Sequence, residues 1–151
     1  MKVKEIMTRE VKSIPPDISV GRAMEVLLEG KISGLPVVDK EGKLVGMFTE
    51  KNILAHLLPQ YLGYVGAFVY DQNPKATRKK LLELGNIAVN QLMTKEVITA
   101  DGEMTLCEAT RIMLMHEVRR LPVVDKTGTL AGIVAREDIL KAFAAEAHGA
   151  A

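Results

Sequence analysis

Apolar and polar positions change their period along this chain, and they do so in the same order twice. Val11–Ile14 alternates with period two, as a half-buried strand does. Val20, Ala23, Met24, Leu27 and Leu28 then recur at helical spacing, with Ser19 placed as the N-cap. The run LPVVD (35–39) is short, apolar and β-branched, which predicts a buried strand. A D-K-E-G turn leads to KLVGMF (43–48), and two strands joined this tightly form a hairpin. A second helix is expected from about Thr49. The series then returns: a strand at Val97–Ala100, a capping box at Thr105 and Glu108 ahead of Ala109, Ile112 and Met113, LPVVD (121–125), a D-K-T-G turn, TLAGIV (129–134), and a helix from about Ala135.

The return is a sequence repeat as well as a pattern. With an offset of 86, residues 3–54 align with 89–140 without a gap, and 18 of 52 positions are identical. EIMTREV meets QLMTKEV, and LPVVDKEGKLVG meets LPVVDKTGTLAG. The expected organisation is therefore a module at 1–55, a linker at 56–88, a second module at 89–142 and a C-terminal tail at 143–151. Each module is strand, helix, strand, strand, helix, a mixed α/β fold. A module of about 50 residues buries little of its own surface, so a core shared by the two is expected, packed as a pseudo-twofold unit.

The linker repeats nothing. It holds Tyr61, Tyr64, Phe68 and Tyr70, four of the six aromatic residues of the chain. PQYLGYVGAFVYDQNP carries two prolines and two glycines and is expected to be irregular or a broken helix. KATRKKLLELG predicts a short helix stopped at Gly85.

Composition narrows the function classes. The 151 residues are 48% apolar and 26% charged, with a formal net charge of +1, so the balance calls for neither nucleic acid nor an anionic surface. The one dense basic cluster, Arg78, Lys79 and Lys80, lies on the linker helix. Cys107 has no internal partner for a disulfide, which fits a reducing cytoplasm. No apolar run approaches membrane-spanning length, and MKVKEIMTRE has no signal-peptide core. His56, His116 and His148 lack metal-ligand spacing, and no nucleotide-loop or nucleophile-elbow motif occurs. An enzyme is not expected.

The segments GLPVVDKEGKLVGMFTEKNI (34–53) and RRLPVVDKTGTLAGIVAREDI (119–139) resemble the CBS (cystathionine β-synthase) domain, in tandem. The resemblance implies a Bateman module of two packed repeats that commonly pairs into flat homodimers. It implies clefts between the repeats for AMP, ADP, ATP or S-adenosylmethionine, and regulation of an effector, here a partner in trans. At the family's T-x-x-D positions stand Thr49 and Asn52 in the first copy, Ala135 and Asp138 in the second. Thr49 is expected at a helix N-cap, where free N–H groups favour phosphate. Asn52 and Asp138 are the expected ribose contacts, the neutral amide being the weaker. Arg119, Arg120 and Arg136 are phosphate candidates because guanidinium groups bind phosphate bidentately. The family pattern groups Thr49 and Asn52 with Thr99, Ala100, Arg119 and Arg120, and groups Asp138 and Ala135 with Ser13, Ile14, Ser33 and Gly34. On that grouping the first site prefers more phosphate and the second accepts adenosine-like ligands. The competing reading is a ligand-free dimeric scaffold in which the aromatic linker is a protein-binding surface.

Overall fold

The computed structural model describes residues 1–57 and 74–149. In chain order the elements are α1 (Val3–Ile6), α2 (Val20–Gly30), β1 (Gly34–Val38), β2 (Leu44–Thr49), α3 (Glu50–Leu57), α4 (Pro74–Leu84), a 3-10 turn (Val89–Gln91), β3 (Ala100–Asp101), α5 (Leu106–Met115), β4 (Arg120–Val124), β5 (Leu130–Ala135) and α6 (Arg136–Gly149). Helix, hairpin and helix thus follow one another in both copies, and the mixed α/β class is as expected. The Ser19 and Thr105 hydroxyls accept from the N–H groups of Arg22 and Glu108, as the caps of α2 and α5 require. The predicted linker helix forms as α4 and ends at Leu84, just before Gly85. The aromatic stretch with Tyr61, Tyr64, Phe68 and Tyr70 lies outside the described residues.

The chain divides into two units. Ser13–Val37 and Val45–Lys95 form one, called here the repeat-1 unit; Met1–Lys12, Val38–Leu44 and Glu96–Ala151 form the other, the repeat-2 unit. The segment in front of each repeat therefore packs with the opposite repeat. The consequence is visible in the cores. Ile14, Val20, Ala23, Leu27, Leu35, Val37, Phe48 and Ile53 are buried together with Val89 and Leu92 in the repeat-1 unit. Ala100, Leu106, Ala109, Met113, Leu121, Val123, Val134 and Ile139 are buried with Val3 in the repeat-2 unit. Among the described residues the buried side chains form two clusters, one in each unit. Each repeat fills its own cluster and completes it with the valine that opens the other repeat.

The borrowed segments are held by matching backbone bonds. Val3 and Lys4 donate to the carbonyls of Met104 and Gly102, while Val89 and Asn90 donate to those of Ile18 and Pro16, the same positions one repeat earlier. Further on, Thr8 exchanges a pair of N–H···O bonds with Ile133, and Thr94 does the same with Met47. Each Met-Thr dipeptide thus extends the outer edge of β5 or β2, so that these edge groups do not lack partners. Gly46 and Gly132 make this approach feasible. A Cβ at Gly46 would lie 2.6 Å from Met93 Sδ and 2.9 Å from the Thr94 carbonyl oxygen; at Gly132 it would lie 2.8 Å from Met7 Sδ and from the Thr8 carbonyl oxygen.

Two local expectations need correction. The first strands are shorter than the alternation predicts. In repeat 2, β3 pairs only Ala100 and Asp101 in parallel with Val123 and Val124 of β4, instead of spanning Val97–Ala100. In repeat 1, Ile14 makes a lone parallel bridge to Val37 instead of a strand from Val11. Pro15 and Pro16 follow Ile14 and have no N–H to continue a ladder. The helical stripe is also narrower than predicted. Val20, Ala23 and Leu27 are buried, but Leu28 is 70% exposed and its counterpart Leu114 is 59% exposed.

Candidate functional site

Within each unit the second hairpin strand runs directly into a helix, and the start of the first hairpin strand lies beside that junction. In the repeat-1 unit the junction is Thr49–Glu50. Glu50 N–H donates to the Ser33 carbonyl, and the space where Gly34 would carry a Cβ is closed by Thr49 Cγ2 at 3.0 Å. Ser33, Gly34, Thr49 and Asn52 therefore meet at one end of the unit. Ile14 is buried against Val37 in the core, and Ser13 beside it is exposed.

Thr49 and Asn52 cap α3 reciprocally. Asn52 Oδ1 accepts from the Thr49 N–H at 2.8 Å and from its hydroxyl at 3.1 Å, and Thr49 Oγ1 accepts from the Asn52 N–H at 3.3 Å. Asn52 Nδ2 donates to Thr94 Oγ1 at 3.2 Å. The side chains at this helix start thus satisfy one another and reach the borrowed Met-Thr segment.

In the repeat-2 unit the junction is Ala135–Arg136. Arg120 is paired with Ala135 across the β4–β5 ladder, and Arg136 N–H donates to the Arg119 carbonyl at 3.0 Å. Arg119, Arg120, Ala135, Arg136 and Asp138 thus meet at one end of the unit. Ala100 is buried in the core, with Thr99 half-buried beside it. Asp138 Oδ2 accepts from the Ala135 N–H at 2.9 Å, the counterpart of the Thr49–Asn52 bond. Its Oδ1 accepts no hydrogen bond from another described residue. The Arg136 guanidinium donates to the carbonyls of Val118 and Met113 at 3.1 and 3.3 Å, so its donors close the end of α5. The two groupings drawn from the family pattern each combine residues of both units. By position in a unit, Asp138 stands with Arg119 and Arg120, and Thr49 and Asn52 stand with Ser33 and Gly34.

A third feature, absent from the expected site, is apolar. Thr110, Met113, Leu114, Arg136, Ile139, Leu140 and Phe143 line a groove of about 250 Å³ between α5 and α6. Leu114 and Leu140 are exposed there, and their repeat counterparts Leu28 and Leu54 are exposed in the other unit. The signal was present in the repeat, since a leucine that stays leucine at the rim of a helical stripe is no ordinary solvent-facing position. Among the described residues no helix is long and apolar enough to cross a membrane. No group of three or more His, Cys, Asp or Glu among them is placed to hold a metal ion.

The model of the CBS domain matches the chain twice, at residues 3–59 and 89–145. Inosine-5'-monophosphate dehydrogenase of Methanocaldococcus jannaschii is 34% identical over 140 residues, which is 93% of this chain but 23% of that protein. This chain therefore spans about a quarter of that relative. CBSX2 of Arabidopsis thaliana, solved in complex with AMP, is 30% identical with a TM-score of 0.73, covering 95% of this chain and 96% of that one. The CBS domain pair of protein MJ0100, solved with 5'-methylthioadenosine and S-adenosyl-L-methionine, is 26% identical with a TM-score of 0.68, covering 95% and 99%.

Proposed function

The chain belongs to the CBS domain family, and on that premise we propose that it is a non-enzymatic sensor of adenine nucleotides or S-adenosylmethionine in the cytoplasm. The observation that carries the reading is the junction of β5 and α6. There one oxygen of the Asp138 carboxylate accepts from no other described residue, close along the backbone to Arg119 and Arg120. A carboxylate with an open acceptor suits the two hydroxyls of a ribose, and guanidinium groups suit phosphate. The structures of related CBS pairs with AMP and with S-adenosyl-L-methionine support that class of ligand.

Binding is read out by a second macromolecule. The repeated leucines Leu28, Leu54, Leu114 and Leu140, with Phe143, are apolar surface that a second copy of this chain covers in a twofold dimer. A change in either repeat on binding then alters a surface that an effector protein recognises, which makes the ligand a population shift rather than a reaction. A thermal-shift panel of AMP, ADP, ATP, GTP and S-adenosylmethionine tests the ligand class. A ligand of the native state raises the melting temperature by mass action, so adenylates are expected to shift it and GTP is not. No shift with any adenylate at millimolar concentration would leave the ligand-free scaffold as the better account.

A further inference from the structure

The two T-x-x-[DN] segments differ at both polar positions, and the hydrogen bonds show that the differences belong together. A carboxamide offers one oxygen with two acceptor sites and one nitrogen with two donors. At Asn52 both acceptor sites are taken, by the N–H and the hydroxyl of Thr49. One of the two Nδ2 donors is given to Thr94 Oγ1. Among the described residues this leaves one N–H and no free acceptor for a diol. At the counterpart position the hydroxyl is missing because residue 135 is Ala, and the side chain is a carboxylate. Asp138 spends one oxygen on the Ala135 N–H, and its other oxygen accepts from no other described residue. The hydroxyl of Thr49 and the amide of Asn52 close a network; Ala135 and Asp138 leave the equivalent network open.

Thr94 gives the closed network its purpose. Its backbone is bonded in both directions to Met47, on the edge of β2, and Met93 before it fills the space above Gly46. Lys95 is the last residue of the repeat-1 unit, and Glu96 opens the long segment of the repeat-2 unit. Thr94 therefore anchors the chain just before it leaves one unit for the other. We infer that Asn52 is a positioning residue that ties the start of α3 to Thr94, and that diol recognition belongs to Asp138 alone, one adenylate per chain. This rests on the sensor reading above for the ligand, while the tie itself stands on the hydrogen bonds of the free protein.

Two measurements on the full-length protein test it. The first is a ligand-free melting cycle with Asn52→Ala, Thr94→Val, the double variant and Thr94→Ser. Each of the first two lowers the melting temperature by about 2–4 °C, the double variant falls no further than the larger single effect, and the hydroxyl of Thr94→Ser retains the coupling to Asn52. Additive losses overturn the tie. The second is calorimetric titration with AMP and, separately, S-adenosylmethionine. Wild type takes up one equivalent per chain, Asn52→Ala leaves affinity within about twofold, and Asn52→Asp, which restores a carboxylate, adds a second equivalent. Two equivalents in wild type, or a tenfold loss in Asn52→Ala, overturn the assignment. Absence of binding in wild type would instead count against the sensor reading, and the melting cycle then decides the tie by itself.

Discussion

At the scale of single residues, two glycines carry the steric demand of the Met-Thr segments. Gly46 and Gly132 sit at the same repeat position, yet nothing in G-M-F or G-I-V says that a methionine from 40 or more residues away lies on them. Their role is steric and is visible only in the fold. Gly46→Ala places a Cβ 2.9 Å from the Thr94 carbonyl oxygen, a backbone atom with little freedom to move. Such overpacking is expected to cost roughly 1–3 kcal/mol, read as a lower denaturant midpoint with an unchanged slope. Glu103 makes a separate prediction. Side-chain hydrogen bonds from Lys2 and then Lys4 hold its carboxyl at about 2, below the ordinary 4.5. A depressed carboxyl adds stability that is complete above the ordinary value and is lost as pH falls through the folded value. Wild type should therefore lose melting temperature faster than Glu103→Gln between about pH 4.5 and 2. The carboxylate is exposed, so the difference is small and should shrink further at high salt.

At the scale of elements, strong periodicity was a sound guide and short elements were not. The stripes of α2 and α5, their Ser19 and Thr105 caps and both Gly turns were legible, because each rests on local chemistry. The hairpin turns place Gly42 and Gly128 at φ of 83° and 86°, a region that costs glycine nothing. The turns at Val3–Ile6 and Val89–Gln91 were not legible, since three or four residues carry no period. Nor does any local signal tell a segment to pack with the other repeat. That exchange gives a prediction. Val3→Ala removes two methyl groups from a fully buried position in the repeat-2 unit, at a cost of about 1.5–3 kcal/mol. Hydrogen exchange should then accelerate in α5 and β4 before it does in α2 and β1, although Val3 precedes repeat 1. Faster exchange confined to α2 and β1 would contradict the exchange of segments.

At the scale of the whole molecule, the family followed from LPVVD-x-x-G in tandem, while the proposed distribution of roles between the repeats did not. Asn52 and Asp138 look alike as T-x-x-[DN] residues. They part only when Thr49 and Ala135 are seen to spend or spare an acceptor, and when Thr94 is seen at the other end of the Asn52 amide. The exposed leucines at matched positions predict self-association. Light scattering should give twice the 16.5 kDa chain mass, and Leu114→Lys with Leu140→Lys should shift the protein toward monomer. Phosphate recognition by guanidinium predicts that Arg120→Ala weakens AMP by about 10- to 100-fold, from the loss of a charge-assisted bond worth ~1.5–3 kcal/mol.

If Asp138 holds an adenylate through its ribose, calorimetric titration with AMP separates wild type from Asp138→Ala. Wild type should give saturable heat and the variant a loss of affinity of at least about tenfold, as when a ligand loses hydrogen bonds to a charged group. Circular dichroism of the two proteins should be alike, because the Ala135 N–H left behind lies at a half-exposed strand end. Equal AMP affinity in wild type and Asp138→Ala would mean that Asp138 does not hold the ribose.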